Sequence, residues 1–432
     1  MNGHPHSNLP SPPSPAAKLV FVNRYFHPDC SATSQLLTDL GLSLARLGYP
    51  VHVVCSRQLY DDPATALLAS ELVDLVQVHR VWTTRFGRTR LIGRAIDYAT
   101  FYASSAWVLI RLLSRGDTVI AETDPPLISI VAMAAARLKG AHLINWLQDI
   151  FPEVASQLGV NPLPRVLIAL LGRGRDLALR NATVNVVLGQ RMRERLQAFG
   201  IAEGKIRIIE NWAERDPPQP KQSACSELRH RLGLAGHFVI GYSGNLGRAH
   251  EFQTLLGAAQ ELESETDVVF LMIGGGSGMD ELRKTVTARG LGNFRFLTYQ
   301  PRERLSDCLA AADVHWVSLK PALEGLIVPS KFYGILAAAR PVVFIGDPDG
   351  ELARHIRASQ CGADIGVGAS EDLVRLLRRW KSEPALRDRM GRNGYRFYQD
   401  HYAARRAVEQ WRRMLTPSGR ADGALSPAPL HR

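Results

Sequence analysis

At 432 residues the chain is too long for one ordinary hydrophobic core, so two units of about 200 residues each are expected. Its 46% apolar and 22% charged residues are those of a globular protein. The formal net charge of +11 requires a negatively charged neighbour: nucleic acid, anionic lipid headgroups or a phosphorylated small molecule.

The charges are largely arginines spread along the chain, with no long basic run and no aromatic-interleaved RNA motif, so nucleic acid is not expected as a partner. Cys30, Cys55, Cys225, Cys308 and Cys361 are far apart, odd in number and without C-x-x-C spacing. That indicates neither a disulfide framework nor a zinc site, and fits a reducing cytoplasm.

Taken in chain order, residues 1–16 are Pro- and Ser-rich without apolar periodicity and read as a disordered tail. They lack a basic stretch followed by an apolar one, so no secretory signal is expected there. Strands are predicted at 18–22, 51–55, 118–122, 142–146, 184–188 and 206–209, with helices between most of them. One helix carries Leu36, Leu37, Leu40, Leu44 and Leu47 and stops at Gly48. This alternation predicts a parallel sheet covered on both faces.

Arg85, Arg88, Arg90 and Arg94 precede an apolar run over 101–113, and Arg111 and Arg115 close it. The run is too short and interrupted to span a bilayer, which takes about 20 apolar residues. It is either a core helix with solvated arginines, or, with Tyr102 and Trp107, a segment lying in a membrane interface.

A polar, Pro-rich linker is expected within 213–235. The alternation then restarts, with strands predicted at 238–242, 268–272, 294–297, 314–319 and 342–345. Two Rossmann-like domains, 17–212 and 236–395, with a cleft between them follow from this pattern. A last helix, 396–417, is expected to cross back to the first domain, ahead of a second disordered tail over 418–432.

Ligands of open α/β sheets sit beyond the carboxyl ends of the strands. Read in order, those ends hold Ser243-Gly-Asn-Leu-Gly-Arg248, Gly274-Gly-Gly-Ser-Gly278, Thr298-Tyr-Gln-Pro301 and Glu324-Gly-Leu-Ile-Val-Pro-Ser-Lys331. Gly244 and Gly247 permit close backbone approach, and Arg248 can pair with phosphate. Ser330 is read as an N-cap, which puts Lys331 in a first helical turn. Free N–H groups, a helix dipole and an ammonium pointing the same way suit a doubly charged anion. Asp347-Pro-Asp349 spells a metal-type D-x-D, but nothing else of a metal shell accompanies it, and no metal is expected.

As a set these stretches resemble glycosyltransferase family four, retaining enzymes of GT-B fold that use nucleotide sugars. Tyr25-Phe-His-Pro-Asp29, Glu122-Thr-Asp-Pro-Pro-Leu127 and Gln148-Asp-Ile-Phe-Pro152 most resemble the bacterial subgroup that builds colanic acid, O-antigen and related exopolysaccharides. The likeness runs over roughly residues 18–415. It implies a catalytic set of Asp149, Lys331, Arg248 and Glu324. On the donor side it implies Gly244, Asn245, Gly247, His250, Gly274, Gly275, Gly276, Tyr299, Gly325, Pro329 and Ser330. On the acceptor side it implies His27, Asp29, Ser31 and Gln148.

The chain also departs from that family. Asn245 and His250 stand where many members have an Arg and a Lys on the diphosphate, and Gly334 stands where a Glu is taken to hold the ribose. Glu324 matches the first of two glutamates with altered spacing.

The implied reaction moves a hexose from a nucleoside diphosphate to an acceptor hydroxyl with retained configuration. No metal or other cofactor is expected, Lys331 and Arg248 stabilising the leaving diphosphate. Asp149 either orients the sugar or takes the acceptor's proton, or is only a loop carboxylate. The acceptor is expected to be a polyprenyl-diphosphate-linked sugar, met at the inner face of the plasma membrane through the segment 85–115. The rival readings are a nucleotide-sugar 2-epimerase of the same architecture and a basic anion- or nucleic-acid-binding protein.

Overall fold

The computed structural model describes residues 17–60, 62, 65–87, 91–159, 164–213 and 226–416. Arg88, Arg90, Cys225 and both expected tails lie outside them.

Eight strands make the first sheet: β1 (Leu19–Val22), β2 (Val51–Ser56), β3 (Ser70–Val73), β4 (Val76–Val81), β5 (Thr118–Glu122), β6 (His142–Trp146), β7 (Val184–Val187) and β8 (Ile206–Ile208). Their order is β3-β4-β2-β1-β5-β6-β7-β8. Every pairing is parallel except the β3–β4 hairpin. The second sheet holds β9 (Phe238–Asn245), β10 (Val268–Gly275), β11 (Phe294–Leu297), β12 (Val314–Ser318), β13 (Val342–Gly346) and β14 (Gly362–Gly366). It is parallel throughout, in the order β11-β10-β9-β12-β13-β14.

The helices of the first unit are α1 (Ala32–Arg46), α2 (Leu91–Leu112), α3 (Ile128–Lys139), α4 (Glu153–Gln157), α5 (Arg165–Asn181) and α6 (Gln190–Ala198). Those that follow are α7 (Glu227–Arg231), α8 (Gln253–Glu261), α9 (Ser277–Arg289), α10 (Leu305–Ala310), α11 (Lys331–Ala337), α12 (Glu351–Ser359), α13 (Ser370–Ser382), α14 (Pro384–Phe397) and α15 (Ala404–Leu415).

The central strands are apolar on both faces because both faces are covered. Val20, Val22 and Val119 pack with Phe101 and Leu109 of α2, Ala132 of α3 and Ala178 of α5. From the opposite face Phe21, Ile120 and Trp146 meet Leu37 and Leu40 of α1 and Trp411 of α15. The last helix therefore does cross back and completes the first core. A third apolar cluster joins the two units, with Ile150, Val187 and Leu196 against Leu323, Leu326 and Phe332.

Three features differ from the sequence reading. The β3–β4 hairpin has no helix between its strands, so β-α alternation conceals it. Strand β14, Gly-Ala-Asp-Ile-Gly, has the composition of a turn and is held as a strand by pairing with β13. The expected linker over 213–235 contains α7, which belongs with the second unit: Asp307 accepts from the N–H groups of Glu227 and Leu228 at 3.0 and 2.9 Å.

Candidate functional site

Strand order reverses direction between β9 and β12 in the second sheet, and a ligand site is expected beyond the strand ends at such a point. The glycine loops meet there. Gly244 and Gly274 are register partners at the ends of β9 and β10. Both have positive φ, 126° and 125°, which favours glycine. A Cβ on Gly274 would lie 2.1 Å from the Gly244 carbonyl oxygen, so the two backbones approach as only glycine permits. Gly276, also at positive φ, precedes α9, and the Leu246 N–H donates to the Gly275 carbonyl at 2.8 Å. The exposed Tyr299 ring lies against Gly275, 3.0 Å from where a Cβ would stand.

Lys331 enters this floor from α11. Its Cε is 2.8 Å from a Cβ position on Gly244, and its Nζ lies 5.2 Å from the Tyr242 ring centroid. Burial pulls the ammonium down to about 8. Lys331 is in no ion pair among the described residues, so the cation faces the cleft without a carboxylate. Ser330 precedes it in helical conformation (φ −64°, ψ −20°) with no side-chain cap bond, so the N-cap expectation fails and its hydroxyl is left to the cleft.

His250 sits edge-on to Tyr242, its Nδ1 2.8 Å from the Ser318 carbonyl oxygen. Burial, and then the charge of Lys331, push it down to about 4, so it is a neutral imidazole and adds no charge. Asn245 and Arg248 are exposed at the rim, and Gly247 is partly exposed between them.

The opposite wall comes from the first unit. A cavity of about 240 Å³ has Ser243, Ser330, Lys331 and Gly334 on one side and Gln35 and Asp39 of α1 on the other. Trp212, Leu309 and His315 also line it. Sequence reasoning missed Gln35 and Asp39, because a polar residue on a helix facing a cleft has the same pattern as one facing water.

Several expected site residues have other work. Asp29 accepts from the Ser31 N–H at 2.8 Å, from the Ser31 hydroxyl and from the Tyr60 N–H, so both residues shape the turn ahead of α1. The His27 side chain is exposed. Gln148 exchanges amide bonds with Asn211, at 3.2 and 2.7 Å. Glu324 points at the start of α12: its Oε1 accepts from the Glu351 N–H at 2.7 Å, and its Oε2 is 2.7 Å from a Cβ position on Gly350. It is thereby taken up between segments of the second unit. Gly325 is packed against the Arg191 carbonyl of α6, and Pro329 is buried. Asp347 accepts from the Asp349 N–H at 2.9 Å, which accounts for the D-x-D as a turn. Among the described residues no three His, Cys, Asp or Glu side chains gather as metal ligands.

Asp149 stands where the units touch. It bridges Ile327, and the next N–H, Ile150, donates to the Leu326 carbonyl at 3.0 Å. Burial pushes its carboxyl up to about 7, against a hydrogen bond from Thr123 and with Asp124 adding to the rise. Its Oδ1 is buried without a hydrogen-bond partner. Glu122, at the end of β5, is also buried with both oxygens unpartnered, and burial followed by Asp124 and Asp149 raises it well above the usual carboxylate range. A proton is thus easily held or released at Asp149 near neutral pH.

Both units of the chain match known proteins. Residues 226–397 match the family Glycosyl transferases group 1, and residues 33–212 match the Glycosyl transferase 4-like domain. The chain is 27% identical over 295 residues to the probable glycosyltransferase WbjE of Pseudomonas aeruginosa, covering 68% of this chain and 73% of that one. It is 28% identical over 231 residues to the putative colanic acid biosynthesis glycosyl transferase WcaI of Escherichia coli K12, covering 51% and 54%. Its fold superposes on Anabaena HepE in complex with UDP-glucose with a TM-score of 0.68 at 16% identity, covering 92% and 99% of the two chains. Two parallel-sheet units, a glycine-floored cleft edge and one family match over each unit lead to one conclusion: the chain belongs to the group 1, family-four-like glycosyltransferases and has their GT-B fold.

Proposed function

We propose that the protein transfers a sugar from a nucleoside-diphosphate sugar to a membrane-held acceptor, with retained anomeric configuration, in the synthesis of a bacterial surface polysaccharide. Lys331 carries this reading. A half-buried ammonium without a carboxylate, lying on bare glycine backbone, is costly unless an anion joins it. A diphosphate supplies that anion and gains charge as the sugar leaves, so the pairing is strongest where it lowers the barrier. His250 is kept neutral and does not compete, and Arg248, exposed at the rim, is assigned as the second cation. These cations do the work of a metal, and the reaction is read as metal-independent.

Asp149, across the units, is the residue to take the acceptor's proton, with Gln148 beside it. Glu324 is assigned to holding the cleft walls rather than to touching sugar. The name of WcaI supports the polysaccharide setting, and the UDP-glucose held by HepE makes a uridine donor the first to try.

The acceptor is read as a polyprenyl-diphosphate-linked sugar, met at the inner face of the plasma membrane. Arg94 and Arg111 lie in the end turns of the apolar helix α2, Arg85 and Arg115 stand beyond its ends, and no helix among the described residues is long and apolar enough to cross a bilayer. Arg88 and Arg90, part of the same expected basic segment, lie outside the described residues.

The test is a donor screen. Purified protein is given UDP-, GDP- and dTDP-sugars with and without a bacterial lipid extract, and nucleoside diphosphate release is recorded. Release with one donor that requires lipid is expected. Conversion of a donor to its epimer without lipid would favour the epimerase, and consumption of none would end the transferase reading.

A further inference from the structure

Helices packed on a sheet ordinarily turn their apolar stripe inward and a polar one to water. Three helices of the first unit break this rule on one side of one sheet. Helix α2 is buried through Phe101, Ser105 and Leu109, yet its outward stripe is Ile92, Ile96, Ala99, Ala103 and Trp107, spaced three or four residues apart and all exposed. Ile92 is 78% exposed and Trp107 58%. Helix α5 repeats the pattern with Val166 at 82%, Leu170 at 61% and Leu177. Between them α3, packed against both, turns out Ala134 and Leu138.

The charge on this layer has one sign. Arg111, Arg115, Arg137, Arg165, Arg173 and Arg180 are exposed on or beside the three helices. The carboxylates on these helices are only Asp97, which is buried, and Asp176, which is paired with Arg175 at 2.7 Å, while Asp117, just beyond α2, is buried and paired with Lys18 at 3.3 Å. Arg111 also lies over the Trp107 ring, 4.0 Å from its centroid, leaving a cation and an aromatic edge together at the end of the stripe.

We infer that the outward faces of α2, α3 and α5 together form a seat for an anionic bilayer, with the apolar stripes sunk among acyl chains and the arginines on phosphate headgroups. A broad apolar plate framed by one sign of charge fits the boundary of an anionic membrane, where both halves of the surface are satisfied at once. Tyr102 of α2 donates to the Pro126 carbonyl after β5, and Arg175 of α5 to the Phe151 carbonyl after β6. Both helices thus run past the strand ends that border the cleft, so a bilayer on this face brings headgroups to the acceptor side. The inference rests on the proposed function only for that last step, since the plate is a property of the surface itself.

The chain carries its own probes. Of seven tryptophans, Trp146, Trp212, Trp316, Trp380 and Trp411 are buried, while Trp82, just ahead of α2, and Trp107 are exposed. The full chain would be mixed with vesicles of phosphatidylcholine alone and of equal parts phosphatidylcholine and phosphatidylglycerol. Co-sedimentation and quenching of tryptophan emission by brominated lipid would be read. Anionic vesicles are expected to bind the protein and quench it. Val166→Glu with Leu170→Glu, and separately Ile92→Glu with Ile96→Glu, should each lower the bound fraction about tenfold or more. The melting temperature of these variants and their binding of UDP, read by calorimetry, should stay as in the wild type, which shows the fold intact and keeps the donor reading separate. Absence of wild-type binding, or an α5 variant that binds like wild type, overturns the plate while leaving the transferase standing. So does light scattering that finds a dimer abolished by the α5 pair, because the face would then belong to a second copy.

Discussion

The main-chain N–H of Arg191 donates to the Glu351 carboxylate at 2.8 Å, joining the first turn of α6 in one unit to the first turn of α12 in the other. The bond is one link of a chain, for the Glu351 N–H is itself held by Glu324, and the Arg191 guanidinium returns to the Asp349 carbonyl at 2.6 Å. Glu351 is 6% exposed, and its carboxylate stays below the usual range despite burial because His355 and the N–H groups of α6 favour the charge.

Glu351→Ala should therefore cost about 1.5–3 kcal/mol, the worth of a charged hydrogen bond. Urea unfolding would read the loss, and small-angle scattering should show a wider distribution of shapes. A variant as stable and compact as wild type would mean that the apolar cluster between the units suffices alone.

Lys331→Ala should lower turnover by roughly 10- to 150-fold, the range matching one charged hydrogen bond made stronger in the transition state. Because the lysine of the free protein titrates near 8, diphosphate binding should weaken as pH rises past that value, and calorimetry there should record proton uptake on binding. Lys331→Arg stays charged throughout and should abolish that pH dependence. An unchanged pH profile in the arginine variant would remove Lys331 from the anion site.

Asp149 gives the opposite limb. If its carboxylate takes the acceptor's proton, kcat/KM should rise with pH through about 7 and then level. Asp149→Asn should lose that limb. Stability has its own sign: a carboxyl raised above its unfolded value contributes most when protonated, and that contribution fades between the unfolded value and about 7. The asparagine variant should accordingly melt at a less pH-dependent temperature over that window. Retention of the rising limb by the variant would assign it to another group.

Gly244→Ala and Gly274→Ala separate function from folding. Both positions have positive φ, which costs an alanine about 1–3 kcal/mol. On Gly244 the new methyl meets the Lys331 side chain, which can move, so donor affinity should suffer beyond the stability loss. On Gly274 it meets the Gly244 carbonyl, which cannot, so the melting temperature should fall furthest there. Equal melting temperatures for the two would show that the strand ends can spread.

The fold was legible where chemistry is local. Apolar runs marked most of the parallel strands, and Gly244 could be read as a close-approach glycine because no other residue serves there, whereas Gly247, read the same way, has neither positive φ nor a close neighbour. Lys331 was legible as a cation in the first turn of a helix, and its place at the start of α11 agrees. Tertiary partners decided the rest. Asp29 looks identical in sequence whether it meets an acceptor or the Ser31 and Tyr60 N–H groups, and Glu324 whether it meets a sugar or the Glu351 N–H. The stripe on α2 was half seen, as an apolar helix between arginines. That its exposed side is the apolar one depends on which residues the sheet takes, and only the packing of Phe101 and Leu109 reveals it.

Trp411 of α15 stacks edge-on against Trp146 of the first sheet, at 5.2 Å. Every strand of that sheet leaves the ribosome before the second sheet does, yet its core stays open until α15 has been made. During synthesis the nascent first unit therefore presents Trp146 and its apolar neighbours to water while the second unit is still being translated, a window for chaperones to occupy. A premature stop anywhere ahead of α15 would harm the half of the protein that had already been made.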